Sequence, residues 1–273
     1  MGWLTKIDLG LKDLDFSEAD LELELDGKPP LNGVFGPTPA DQLLSDFDRG
    51  GLLEPLRARG YLDFRPQLER SSFSSERFRL LGHHPGHSEA LQLLDMKSRQ
   101  MLFQAPSGAR HSVLSWEWLE LQDPAARPAP QKPLLPGQKH PGLGWYRTFL
   151  QVMRGYIQRL QVQAVVATPM FFHNAVFLGP EFHFVDPVRQ GGFQAMCRDL
   201  LPKGIASASW GVFQKDVVMF DRESGQATPF LWEAALCLHP LSPELQTLTD
   251  SESYRSVSRR TAERLEFRYL DRA

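Results

Sequence analysis

Leu135-Pro-Gly-Gln-Lys-His-Pro-Gly-Leu-Gly-Trp-Tyr146 sets glycines between a strand-like segment and the clearest helical pattern in the chain. Downstream, Phe149, Leu150, Met153, Tyr156, Ile157 and Leu160 recur at three and four residues, so Trp145 to Gln161 is predicted to be a helix packing one face on a core. Glycines let backbone N–H groups turn towards a bound phosphate, and a helix N-terminus adds roughly half a positive charge at that point. Lys139 and His140 add to the same field. A glycine-rich connection ahead of a helix also serves as an ordinary tight turn, so the motif alone leaves both readings open.

After this helix, Val162–Thr168 reads as a strand buried on both sides, Pro169–Leu178 as a short helix and Phe182–Val185 as another strand. Upstream, His111–Gln122 reads as a strand in which Trp116 and Trp118 share one face while Glu117, Leu119 and Leu121 take the other. Pro124, Pro128, Pro130, Pro133 and Pro136 make residues 123–136 an extended loop. The order is therefore strand, loop, helix, strand, helix, strand.

Further out, Thr38 and Pro39 open a helix carrying Leu43, Leu44 and Phe47, and Gly50-Gly51 ends it. A second short helix spans 52–59, followed by strand-like segments at 61–68 and 77–81 and a hairpin or long bent strand at 90–104. Residues 192–201 read as a helix, and 210–220 with 228–232 as a hairpin. The segment 254–272 reads as partly helical, with a basic face of Arg255, Arg259, Arg260, Arg264, Arg268 and Arg272. Asp13 to Asp26 is acidic, and its latter half alternates leucine with acid in the manner of an amphipathic strand.

Composition narrows the function classes. The 273 residues are 42% hydrophobic and 23% charged, which describes a folding globular chain rather than a disordered or fibrous one. Thirty basic against 33 acidic side chains leave a net charge of -3, which gives no overall attraction to nucleic acid or an anionic membrane. No apolar run approaches the ~20 residues of a membrane span, and the start lacks the pattern of a secretory signal, so the expected location is cytoplasmic. Cys197 and Cys237 are too few for a disulfide framework and read as semi-buried thiols.

In order as well as in type, the residues from Trp116 to Pro187 resemble the GCN5-related N-acetyltransferase superfamily. That family feeds a strand into a Q/R-x-x-G-x-G/A loop whose amides hold the pyrophosphate of acyl-coenzyme A at the start of the next helix. Lys139-His-Pro-Gly142-Leu-Gly144 has this spacing, with Lys139 in place of Gln/Arg and Gln138 one position early. Phe172-His-Asn-Ala-Val-Phe-Leu-Gly-Pro-Glu-Phe-His-Phe looks like the family's Asn-containing helix and closing aromatic strand. The resemblance implies an α+β fold with a central mixed, mostly antiparallel sheet flanked by helices. It divides the chain into an acidic N-terminal extension (1–29), the acetyltransferase-like domain (30–235, with its cofactor loop at 138–146) and a basic C-terminal extension (236–273).

It also implies an acyl-coenzyme A, acetyl-coenzyme A first, as co-substrate and an amine on a small molecule or protein as acceptor. The residues assigned to the cofactor are Gln138, Lys139, His140, Gly142, Leu143, Gly144, Trp145 and Asn174. Glu117, then Glu120, are the candidate bases, and their difference in strand parity lets only one face the cleft. The family's tyrosine near the end of the Asn-containing helix has no counterpart, because Phe177, Leu178 and Gly179 stand there. Phenylalanine packs but cannot donate a proton, so either His173 serves as the acid or the fold acts as a non-catalytic binding or assembly module.

Other patterns carry less. His83, His84 and His87 lack an accompanying Cys, Asp or Glu at a metal-site spacing, so no metal is expected. No G-x-S-x-G nucleophile turn occurs. The Trp116/Trp118 pair and Phe171-Phe172 read either as a groove lining or as core. Pairing of the acidic strand near residue 22 with a second copy at a sheet edge would make a homodimer.

Overall fold

The computed structural model describes residues 34–70 and 75–270. The acidic stretch Asp13–Asp26, with the sheet-edge pairing expected of it, and Arg272 lie outside them. Chain order is α1 (Ala40–Arg49), α2 (Glu54–Ala58), β1 (Leu62–Arg70), β2 (Ser75–His83), β3 (Leu91–Gln104), β4 (Arg110–Leu121), α3 (Tyr146–Arg159), β5 (Ala164–Ala167), α4 (Phe172–Leu178), β6 (His183–Phe184), α5 (Pro187–Leu200), α6 (Ile205–Phe213), β7 (Val217–Asp221), β8 (Gln226–Pro229), β9 (Cys237–Pro240), α7 (Pro243–Asp250), α8 (Glu252–Arg264) and β10 (Leu265–Tyr269). Seven strands form a sheet in the order β1-β2-β3-β4-β5-β9-β6, and β10-β7-β8 form a second one. Among the described residues every strand pairing is antiparallel except β4 with β5, the pair joined by α3. The molecule is thus an α+β protein with a mixed, mostly antiparallel sheet flanked by helices. Among the described residues no helix is long and apolar enough to cross a membrane.

Strand β5 shows why its four-residue run is apolar throughout. Val165 and Ala167 join a large core with Leu43 and Phe47 of α1 and with Phe149 and Met153 of α3. Ala164 and Val166 join a smaller core on the other face, with Val113, Leu238 and Leu245 of α7. A strand covered on both faces has no polar side to alternate with. Leu43, Phe47 and Phe149 are fully buried, each contributing roughly 1.5–3 kcal/mol of apolar transfer.

Several local expectations change. Helix α5 begins at Pro187 rather than Gly192, because the Asp186 carboxylate accepts the Val188 N–H at 2.8 Å and Pro187 occupies the first helical position. Gly191 then lies inside the helix, at a contact with α8 where a Cβ would come within 2.3 Å of the Ser258 carbonyl oxygen. Trp210–Phe213, expected to open a hairpin, instead close α6. Ala208, Ser209 and Val212 bury a helical stripe there, and the Trp210 indole donates to the Leu134 carbonyl at 2.8 Å. The hairpin starts only at Val217. Residues 236–273, grouped from the sequence as an extension, place β9 inside the main sheet between β5 and β6 and pair β10 with β7.

A further change concerns β4. Lys97 pairs with Trp118 and Ser98 with Trp116, so Glu117 is an extra residue in a β-bulge. Strict alternation fails at that point: Trp116 is buried, whereas Trp118 is 52% exposed, and the two indoles do not share a face.

Candidate functional site

The bulge sits where β4 and β5 part. They pair over Val113–Trp116 with Ala164–Ala167, and β4 continues to Leu121 after β5 has ended. The β5-facing edge of β4 next finds backbone partners at its tip, where the Leu143 N–H donates to Leu121 O at 3.2 Å and the Asp123 N–H to Pro141 O at 2.8 Å. Between these points lies a notch about five residues long, roughly 16 Å at strand rise. On the β5 side the strand ends at Ala167 and the chain runs on to α4 at Phe172.

The glycine-bearing loop closes the notch. Pro136-Gly137 makes a turn with Gly137 at φ +80°, where the Gln138 N–H donates to Leu135 O and the Gln138 side-chain oxygen accepts the Leu135 N–H at 2.9 Å. Gly137 lies against the Phe171 ring so closely that a Cβ would approach it to 2.7 Å, which ties the loop to the residue preceding α4. Gly144, at φ +76°, turns the chain into Trp145 and α3. Gly142 is exposed, and a Cβ there would meet only the Leu121 oxygen, at 3.6 Å.

A hydrogen-bonded network centred on the buried Asp123 and Tyr61 holds this loop in place. Asp123, just past β4, accepts the Tyr61 hydroxyl at 2.6 Å and the Arg59 guanidinium at 3.0 Å. Arg59 also donates to the Leu143 carbonyl at 3.0 Å, and the Tyr61 hydroxyl accepts the Ala125 N–H at 3.1 Å. Burial and the neighbouring Asp123 carboxylate raise the Tyr61 pKa above its ordinary value. Arg59 and Tyr61 are separated from Asp123 by more than 60 residues along the chain, and no local motif marks them.

The candidate bases fall in different surroundings. Glu117 pairs with Lys97 at 2.7 Å and Arg99 at 3.0 Å across β3, so both of its oxygens are engaged by cations. Glu120 lies within the notch-edge stretch of β4, half-buried, with one contact from the Gln92 amide at 3.4 Å. Burial, followed by the charge of Asp95, raises its pKa, and Lys139 and His140 of the loop pull the other way. The structure therefore brings Glu120, Lys139 and His140 into one electrostatic neighbourhood.

His173 is buried, stacked on Phe171 at 5.4 Å and edge-on to Phe177 at 6.2 Å, and its Nδ1 has no hydrogen-bond partner. Burial lowers its pKa to about 4, so the imidazole is neutral at neutral pH and is not a ready proton donor. Asn174 is half-buried in the first turn of α4, its N–H donating to Phe171 O at 3.0 Å.

Of the cofactor residues, Gln138 spends its side-chain oxygen on the loop's own turn, and Leu143 spends its N–H on β4. Lys139 and Gly144 are exposed, whereas Trp145 is buried. Three donor groups on elements bordering the notch, the Trp116 and Trp145 indole N–H and the Tyr146 hydroxyl, are buried without a partner. His84 contacts Tyr61 and His87 through ring edges, and among the described residues no three His, Cys, Asp or Glu side chains converge as a metal site would require. No protein-family model matches the chain, and no curated protein matches its sequence significantly.

Proposed function

We propose that the protein binds an acyl-coenzyme A in the notch between β4 and β5 and transfers the acyl group to an amine, as a divergent member of the GCN5-related N-acetyltransferase superfamily. The observation that carries this reading is the parting of the parallel pair β4 and β5 directly beside a glycine-bearing loop and the first turn of α3. The pyrophosphate would rest on the N–H groups of Gly142, Gly144 and the first turn of α3, in the field of Lys139 and His140. Leu143 is left out because its N–H is already taken by Leu121. Glu120 replaces Glu117 as the favoured base: a half-buried carboxylate with a raised pKa accepts a proton more readily than one held by two cations. The amine nitrogen attacks the thioester carbonyl, Glu120 takes its proton directly or through water, and the carbon–sulfur bond breaks to release the thiolate.

Calorimetric titration with acetyl-coenzyme A, against desulfo-coenzyme A, tests this reading. Saturable binding is expected, lost in Gly142→Trp, a substitution at an exposed position with room for a side chain. Failure of acetyl-, succinyl- and longer acyl-coenzyme A to bind the folded protein at millimolar concentration removes the proposal. The second reading, a non-catalytic module on the same fold, is favoured by the absence of a hydroxyl at 177–179 and by the neutral His173. It predicts binding without turnover, and acyl transfer lost in Glu120→Gln would exclude it.

A further inference from the structure

A groove of about 860 Å³ runs between α1 and α3, lined by Pro37, Pro39, Asp46, Arg49, Gln151 and Arg159 among others. Tyr156, also in its wall, lies ten residues beyond Tyr146 on α3, about 15 Å along the helix, so this groove is separate from the notch. The helices come together beside it at Gly50, where a Cβ would stand 2.3 Å from Val152 Cγ2.

The polar lining is rich in donors, and its acid is already engaged. Asp46 accepts the Tyr156 hydroxyl, the Gln42 amide at 2.8 Å and the Arg49 guanidinium at 3.1 Å. Arg159 is fixed in a different way. Its Nε donates to the Gly155 carbonyl at 3.0 Å and its guanidinium lies 4.4 Å over the Tyr156 ring, which orders the side chain; its charge acts on Asp46 and Tyr156, but no carboxylate of the described residues lies at ion-pair distance from it. Two guanidiniums therefore face one spent carboxylate, beside an apolar wall of Pro37, Pro39 and Val152. An ordered, planar guanidinium matches a carboxylate in two parallel hydrogen bonds.

We infer that the groove between α1 and α3 binds a small carboxylate-bearing molecule, its carboxylate on Arg159 and its apolar part against the proline wall. Arg49 adds charge at the rim, and the Gln151 amide supplies a further neutral donor. The inference does not depend on the acyl-coenzyme A reading, and its test uses different ligands and residues.

The full-length protein is titrated calorimetrically with benzoate, glutarate and citrate, with inorganic phosphate as the non-carboxylate anion. One-site saturable binding of at least one carboxylate is expected, weakened roughly tenfold or more in Arg159→Gln, because a hydrogen-bonded charge pair is removed. Arg159→Lys, which keeps the charge but lacks the planar fork, should also weaken binding, whereas Arg110→Gln on β4 should not. Unliganded melting temperatures identify any variant that has lost its fold, and if Arg159→Gln is one, the weakening expected of the milder Arg159→Lys carries the test, with equal affinity in Arg159→Lys overturning the inference. Absence of saturable carboxylate binding, equal affinity in Arg159→Gln, or equal weakening by Arg110→Gln overturns the inference. Binding of phosphate in place of every carboxylate overturns the ligand class.

Discussion

Replacing Asp123 by alanine should loosen the loop that closes the notch and destabilise the whole fold. Asp123 is 5% exposed and accepts from the Tyr61 hydroxyl, the Arg59 guanidinium and the Ala126 N–H, the last at 3.2 Å. Tyr61 is fully buried, so the substitution strands its hydroxyl donor in the interior at a cost of about 1–3 kcal/mol. The Arg59 pair adds less, about 0.5–1 kcal/mol, because the Arg59 side chain is 40% exposed and water screens it. The expected loss is about 3 kcal/mol, read as a lower urea midpoint at unchanged slope or as a melting temperature lower by roughly 6–10 °C. Tyr61→Phe should cost about 1–2 kcal/mol alone and little more on top of Asp123→Ala, since both remove the same bond. Hydrogen exchange at the Leu143 amide should accelerate in Asp123→Ala, because Arg59 then loses the partner that holds it against the Leu143 carbonyl. A loss below about 1 kcal/mol, or strict additivity of the two substitutions, would refute the clamp.

Two further outcomes follow from buried titratable groups. The His173 pKa of about 4 lies below the ~6.5 of an unfolded histidine, so between those values the unfolded chain binds a proton that the native state refuses, and stability falls as pH is lowered through that window. Urea unfolding of wild type and His173→Phe should show the wild type losing about 2–3 kcal/mol more between roughly pH 7 and pH 4.5; parallel pH profiles would contradict the buried neutral imidazole. Burial pushes the Cys197 and Cys237 thiols up to about 12, so both should react with a disulfide reagent at about pH 8 at least roughly a hundredfold more slowly in the native than in the unfolded protein. A fast-reacting native thiol would contradict that burial.

The order of elements across the site was legible because each element carries its own period. Phe149, Met153 and Tyr156 repeat as one helical face, the run from Ala164 to Ala167 is apolar on both strand faces, and both lie within the segments where the spacing puts them. Errors arose where a local signal had two uses. The Gly191-Gly192 pair suggests a helix boundary, yet Gly191 serves close packing against α8. Trp210–Phe213 suits a strand by composition but turns as the end of α6, with its indole bonded to the loop.

The sequence by itself determined the helix after the loop, the buried strand that follows, and the composition of the loop between them, because periodicity and glycine spacing are properties of neighbouring residues. Tertiary structure decided which groups act together. Parity along an ideal strand cannot choose between Glu117 and Glu120, and the proposed preference for Glu120 rests on the cations that Lys97 and Arg99 bring to Glu117 and on the burial of Glu120. Leu143 looks like any other loop amide until Leu121 takes its N–H. Arg59, Tyr61 and Asp123 carry no signature at all, since a hydrogen bond between residues more than 60 apart depends on where the folded chain returns, and that return is a property of the sheet as a whole.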